Sequence, residues 1–134
     1  MEEKFNEATP QRTQDHLLDA PLVSINIPAF IDQLKQESAW KESDRNTITV
    51  FKTYGLCIVL IGLHEGAEMT KHTANGHISV HVLEGELKFI TDEKSVELSI
   101  GEMLALHERI PHGVLAIEDT VFLLTLTTTG ATKE

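Results

Sequence analysis

Val82-Leu83-Glu84-Gly85-Glu86 decides the fold, because it breaks one alternating apolar run and starts another. Before it, His77 to Leu83 alternates Ile78, Val80 and Val82 with His77, Ser79 and His81. After it, Glu86 to Ile90 alternates again. A period of two predicts strands, and a glycine between two such runs predicts a tight turn. Working outward, Ser95 to Leu98, Glu102 to Leu106, His112 to Ile117 and Val121 to Thr127 carry the same signal. Thr91-Asp92, Gly101 and Glu118-Asp119 separate them. Upstream, Thr47 to Thr53 is β-branched and alternating, Tyr54-Gly55 reads as a turn, and Leu56 to Leu63 reads as a buried strand. Short strands at a spacing of roughly eight to twelve residues predict a mainly β chain folded as a sandwich, barrel or jelly roll.

The N-terminal part has a different character. Residues 1–20 are polar, aperiodic and punctuated by Pro10, which predicts a flexible arm. Leu22 to Ile27 alternates as a short edge strand would. Pro28 to Trp40 is the one helix expected: Pro28 suits a first turn, and Phe30, Ile31 and Leu34 share a face. Residues 21–130 are then a single domain, which suits a chain of 134 residues.

Composition narrows the function classes. With 11 Lys plus Arg against 21 Asp plus Glu, the net charge is −10, and no basic cluster offsets it, so no nucleic-acid partner is expected. No apolar run is long enough to span a bilayer, so no membrane partner is expected either. Met1-Glu2-Glu3-Lys4 lacks the apolar core of a signal peptide, which makes the cytoplasm the expected address. Cys57 is the single cysteine and lies inside Leu56 to Ile61, where a buried, inert thiol is expected. No Ser-His-Asp spacing, phosphate-binding glycine loop or nucleotide motif is present.

Histidine is where the chemistry would lie. Six of the seven histidines follow residue 60: His64, His72, His77, His81, His107 and His112. Imidazole is the commonest metal ligand and the side chain most easily poised near neutral pH. Two stretches resemble the paired motifs of the cupin superfamily. In the first, Gly66 is followed after five residues by His72, and the stretch ends on Val82-Leu83-Glu84-Gly85-Glu86. In the second, Gly101, Pro111 and His112 stand in place. The resemblance spans residues 55–128, and the region ahead of it, with Trp40, Arg45 and Tyr54-Gly55, is similar to small single-domain cupins of unassigned function. It implies an RmlC-like jelly roll, an antiparallel double-stranded β-helix, here with one N-terminal helix.

In metal-binding members the first motif supplies two histidines and a glutamate, and the second supplies another histidine. Residues i and i+2 of a strand point the same way, roughly 6.6 Å apart along it, so two imidazoles can converge on one ion. Carried over position by position, His72 and His112 match. The second histidine falls on Ala74 and the glutamate on Ile78, neither a ligand. The second motif also departs at His107 for proline, Arg109 for glycine and Ala116 for asparagine. If Ile78 keeps the glutamate's direction, Ile78 and Val80 line the barrel while His77 and His81 face outward. A slip or bulge would reverse this and bring His77 to His72 and His112. His107 is then a rim residue, and Arg109 a guanidinium near the pocket mouth, able to clamp a carboxylate.

Three functions remain open at this level. One is binding of a small organic ligand by His72, His112, Ile78, Val80, His107 and Arg109, with or without one divalent metal (iron, nickel, zinc or manganese). Another is a metal-dependent dioxygenase or isomerase. The third is a dimeric sensory or accessory module without catalysis. The arm and the Leu22 to Ile27 edge strand suit β-pairing with a second copy, so a homodimer is expected.

Overall fold

Alternation, tight turns and one amphipathic helix build the chain seen in the computed structural model, which describes residues 16–128. Residues 1–15 of the expected arm and the last six residues lie outside that range. Two helices come first, α1 (Ile27–Gln36) and α2 (Ser38–Glu42). The strands follow as β1 (Arg45–Thr53), β2 (Leu56–Leu63), β3 (Glu68–His72), β4 (Ile78–Glu84), β5 (Glu86–Thr91), β6 (Ser95–Ser99), β7 (Met103–Leu106), β8 (His112–Ala116) and β9 (Thr120–Thr127). They form two antiparallel sheets, in the orders β1-β2-β9-β4-β7 and β3-β8-β5-β6. The expected jelly roll is the fold observed.

The two sheets bury their facing sides against each other. Val59, Ile61, Val80 and Val82 of one meet Leu87 and Phe89 of the other, all essentially excluded from water. Such burial contributes about 1.5–3 kcal/mol per large aliphatic side chain. The outer face of the larger sheet is apolar too, and α1 covers it: Leu34 packs with Ile48, Val50, Leu60 and Val121. This double coverage explains why Leu56 to Leu63 is apolar without interruption.

The turn at Gly85 shows why the decisive motif needs glycine. Its φ is +82°, and a Cβ there would lie 2.2 Å from the Asp119 carbonyl oxygen. A side chain would therefore collide with the backbone of the β8–β9 turn.

Two N-terminal expectations need correction. Leu22 to Ile27 forms no strand, although Val23 and Ile25 are half-buried and Leu22 and Ser24 exposed, as alternation predicted. The reason is the lack of a strand beside it: Ile25 packs on the outer-face cluster instead. Nor are residues 16–20 of the arm loose. Leu18 O accepts from Lys52 N at 2.9 Å and Thr49 O meets His16 Nε2 at 3.1 Å, so this segment runs along the free edge of β1.

The expected helix is broken in two at Glu37, whose ψ of 151° is extended. Asn46, fully buried, accounts for the break. Its Nδ2 donates to Leu34 O at 3.0 Å and to Glu37 Oε1 at 2.9 Å, and its Oδ1 accepts from Thr47 N. Glu37 leaves the helix and ties it to β1. β3 was not foreseen from the sequence, because Glu68 to His72 is polar and mostly exposed.

Trp40 and His64 stack at one end of the barrel, ring centroids 3.6 Å apart, and His64 Nε2 meets Trp40 O at 2.8 Å. Nδ1 of the same ring lies 3.4 Å from Asp119 Oδ2. The Asp119 carboxyl is held below its usual range, chiefly by the Glu65 N–H it accepts. That end is thus tied to α2.

Candidate functional site

The other end holds His72 and His112. The two are cross-strand partners in β3 and β8, with a bulge between Met69 and His72 that shifts the register. The bulge matters: Met69 opposite Val114 packs into the core, and the extra residue brings His72 back to the same side. The rings stand 4.5 Å apart, tilted by 58°. His112 is 5% exposed and stacks nearly parallel on Phe89, 5.4 Å between centroids; His72 is exposed at the open end.

Both imidazoles are anchored in the same way. His112 Nδ1 lies 2.8 Å from Ile110 O, and His72 Nδ1 lies 2.8 Å from Thr70 O. A carbonyl only accepts, so Nδ1 carries the hydrogen in each ring, and in the neutral form Nε2 carries a lone pair. Among the described residues neither Nε2 has a partner. Burial lowers the pKa of His112; the Ile110 carbonyl partly opposes this and His72 adds to it. His112 is therefore a neutral acceptor at neutral pH.

Around the pair the walls are apolar. Ile78 and Val80 are buried on the inner face of β4, and Ile78 stands in register with Leu106 and Leu126. A groove of about 540 Å³, lined by neither histidine, lies between Thr91 to Lys94 of the β5–β6 turn and Leu106, Ile110 and Pro111. Thr91 is the register partner of His112. Lys71 Nζ holds Asp92 Oδ1 across the rim.

The structure separates the remaining candidates from this pair. His77 and His81 lie opposite the buried Ile78, Val80 and Val82, so the outward alternative holds. His77 meets His107 instead, ring centroids 5.0 Å apart at 84°, both exposed. Arg109 gives its guanidinium to Glu108 Oε2 at 2.9 Å and its backbone N–H to Ala74 O. It is also the one non-glycine at positive φ among the described residues, at 63°. Glycine is preferred at this motif position for its backbone, and here arginine bears that strain.

The arrangement of two facing antiparallel sheets recurs in solved structures. A conserved protein of unknown function from Streptococcus pyogenes is 25% identical, with a TM-score of 0.61 over 65% of this chain and 77% of its own. A cupin-2 domain protein from Shewanella frigidimarina superposes with a TM-score of 0.62 at 17% identity, over 77% of this chain and 93% of its own. The chain folds as a cupin. Salicylate 1,2-dioxygenase from Pseudoaminobacter salicylatoxidans reaches a TM-score of 0.71 at 12% identity, over 84% of this chain but 37% of that one. No protein-family model matches the sequence, and no curated protein does.

The metal ion of metal-binding cupins would need ligands that this chain lacks. Ala74 and Ile78, at the two departed positions, are buried and have no donor atoms. Among the described residues no three His, Cys, Asp or Glu side chains gather to hold an ion. The residues present therefore do not fit the three- or four-ligand ion that the resemblance implies.

Sequence reading missed one contact of the site and one buried oxygen in the loop before it. Phe89, the stacking partner of His112, reads as one more core residue of an alternating strand. Glu108 sits at an unconstrained motif position, yet its Oε1 is buried without a partner among the described residues. No local pattern announces either one.

Proposed function

We propose that this cupin binds a small organic molecule at the His72–His112 end of its barrel. The observation that carries the reading is the pair of side-by-side imidazoles, each fixed through Nδ1 and each with Nε2 unpartnered, in an apolar wall. A few placed polar groups in an apolar concavity are the usual composition of a ligand site. Ile78 and Val80 supply the wall, and His107 and Arg109 belong to the rim. NMR titration of the labelled protein with a fragment library tests this. Binders are expected to move the amide signals of Phe89, Thr91 and His112, and to lose that effect in His112→Phe. Shifts confined to other regions, or none, would reject the reading.

A metal-dependent dioxygenase or isomerase is the competing reading, favoured by the superposition on a dioxygenase. Elemental analysis of protein purified without chelator or affinity tag decides between them. Near-stoichiometric iron, nickel, zinc or manganese, lost in His72→Ala, would establish a metal centre and displace the metal-free site.

The proposal includes a cytoplasmic homodimer. Leu17 and Tyr54 lie beside the edge of β1 as large, exposed apolar side chains, 68% and 80% exposed, which supports an interface there. A monomer mass in light scattering at micromolar concentration would remove the dimer.

A further inference from the structure

We infer that the ligand of the His72–His112 site is a flat, largely apolar molecule presenting hydroxyl or N–H donors, and not a carboxylate or a phosphate. This deepens the small-molecule reading above and rests on it.

The argument is a matching of donors and acceptors. Each Nδ1 hydrogen is spent on a backbone carbonyl, Ile110 O for His112 and Thr70 O for His72. What neutral His112 offers at Nε2 is a lone pair, beside the His72 ring at 4.5 Å between centroids. A lone pair facing a carboxylate oxygen is repulsive; facing a hydroxyl it is a hydrogen bond. For His112 to donate it would have to take up a proton, which its burial against Phe89 opposes.

The nearby cations do not restore anion binding. Lys71 is held by Asp92, and Arg109 by Glu108. Lys94 lines the groove, but Asp92 and Glu93 line it too, so the rim carries no positive excess. The chain's net charge of −10 also disfavours an anion. Leu106, Ile110 and Pro111 line a neighbouring groove of about 540 Å³ that includes Thr91, the register partner of His112, and give apolar surface for the body of a ring.

Three probes of similar size separate the possibilities: resorcinol, 1,3-dimethoxybenzene and benzoate, each titrated into the full-length protein and followed by NMR at Phe89, Thr91 and His112. Resorcinol is expected to bind. Capping its hydroxyls is expected to weaken binding at least ~10-fold, the cost of leaving a polar pair unmade. Benzoate is expected to bind no better than the capped ring. His112→Phe, which preserves the apolar stack, is expected to bring resorcinol down to the capped level. Benzoate binding tightest, or dimethoxybenzene equalling resorcinol, would overturn the donor requirement while leaving a ligand site. If none of the three moves the signals, the small-molecule reading falls with it.

Discussion

Replacing Arg109 by glycine should make the protein more stable, although it removes a charged side chain and an ion pair. Arg109 holds a φ of 63° in the loop between β7 and β8. A left-handed conformation costs an L-residue roughly 1–2 kcal/mol, which glycine avoids. Glycine gives back about 0.5–1 kcal/mol through its greater freedom in the unfolded chain. The pair with Glu108 is exposed on the arginine side, 60%, and such pairs contribute roughly 0–1 kcal/mol. At the middle of these ranges the balance for Arg109→Gly is a gain of about 0.3 kcal/mol, a rise of about 1 °C in Tm for a domain of this size. Arg109→Ala keeps the strain and loses the pair, so it should be less stable than wild type by up to ~1 kcal/mol. Urea unfolding followed through Trp40, the single tryptophan, reads both variants against wild type. Glycine proving less stable than alanine at this position would refute the reasoning. It would mean that the left-handed backbone at 109 costs an L-residue less than glycine's extra freedom does.

Other perturbations test the remaining structure. Gly76→Ala would set a Cβ 1.4 Å from the Thr127 carbonyl oxygen, so a loss above ~4 kcal/mol or failure to fold is expected in expression and urea unfolding. A mild effect would mean that the segment before β4 sits elsewhere. Asn46→Ala strips three buried hydrogen bonds between α1, Glu37 and β1 and should cost about 2–4 kcal/mol by chemical denaturation. A cost below ~1 kcal/mol would show that Asn46 does not tie the helix down. For His112 the sign follows from its lowered pKa: between that value and about 6.5 the unfolded chain binds the extra proton. Its contribution is complete above about pH 6.5 and is lost as pH falls toward the folded pKa, at no more than ~1.4 kcal/mol per pH unit. Wild type should thus lose more stability than His112→Gln between pH 7.5 and 5.5; parallel losses would contradict a buried neutral ring.

Much of the fold is legible along the chain because strand alternation and turn residues are local signals. Gly85 and Gly101 mark turns, and the runs around them became β4 to β7. Where coverage differs, legibility fails. Leu22 to Ile27 alternates like a strand but has no ladder partner, while Glu68 to His72 forms β3 in spite of its polarity, because β8 supplies its partners. Of the site, His72 and His112 stand out by spacing, and the empty ligand positions at Ala74 and Ile78 are equally visible. Phe89 and Glu108 are invisible, since stacking and an orphaned oxygen depend on what lies across the barrel.

The sequence by itself determined that this is a β-rich chain with cupin spacing, that two of the four implied metal ligands are missing, and that His77 and His81 must share a side opposite Ile78 and Val80. The tertiary structure decided which side is inside, because only the packing of one sheet on the other gives a face its burial. It also decided that the histidines form a pair. Each Nδ1 meets a carbonyl only two residues back, Thr70 O or Ile110 O, but the two rings come within 4.5 Å of each other because β3 and β8 lie side by side.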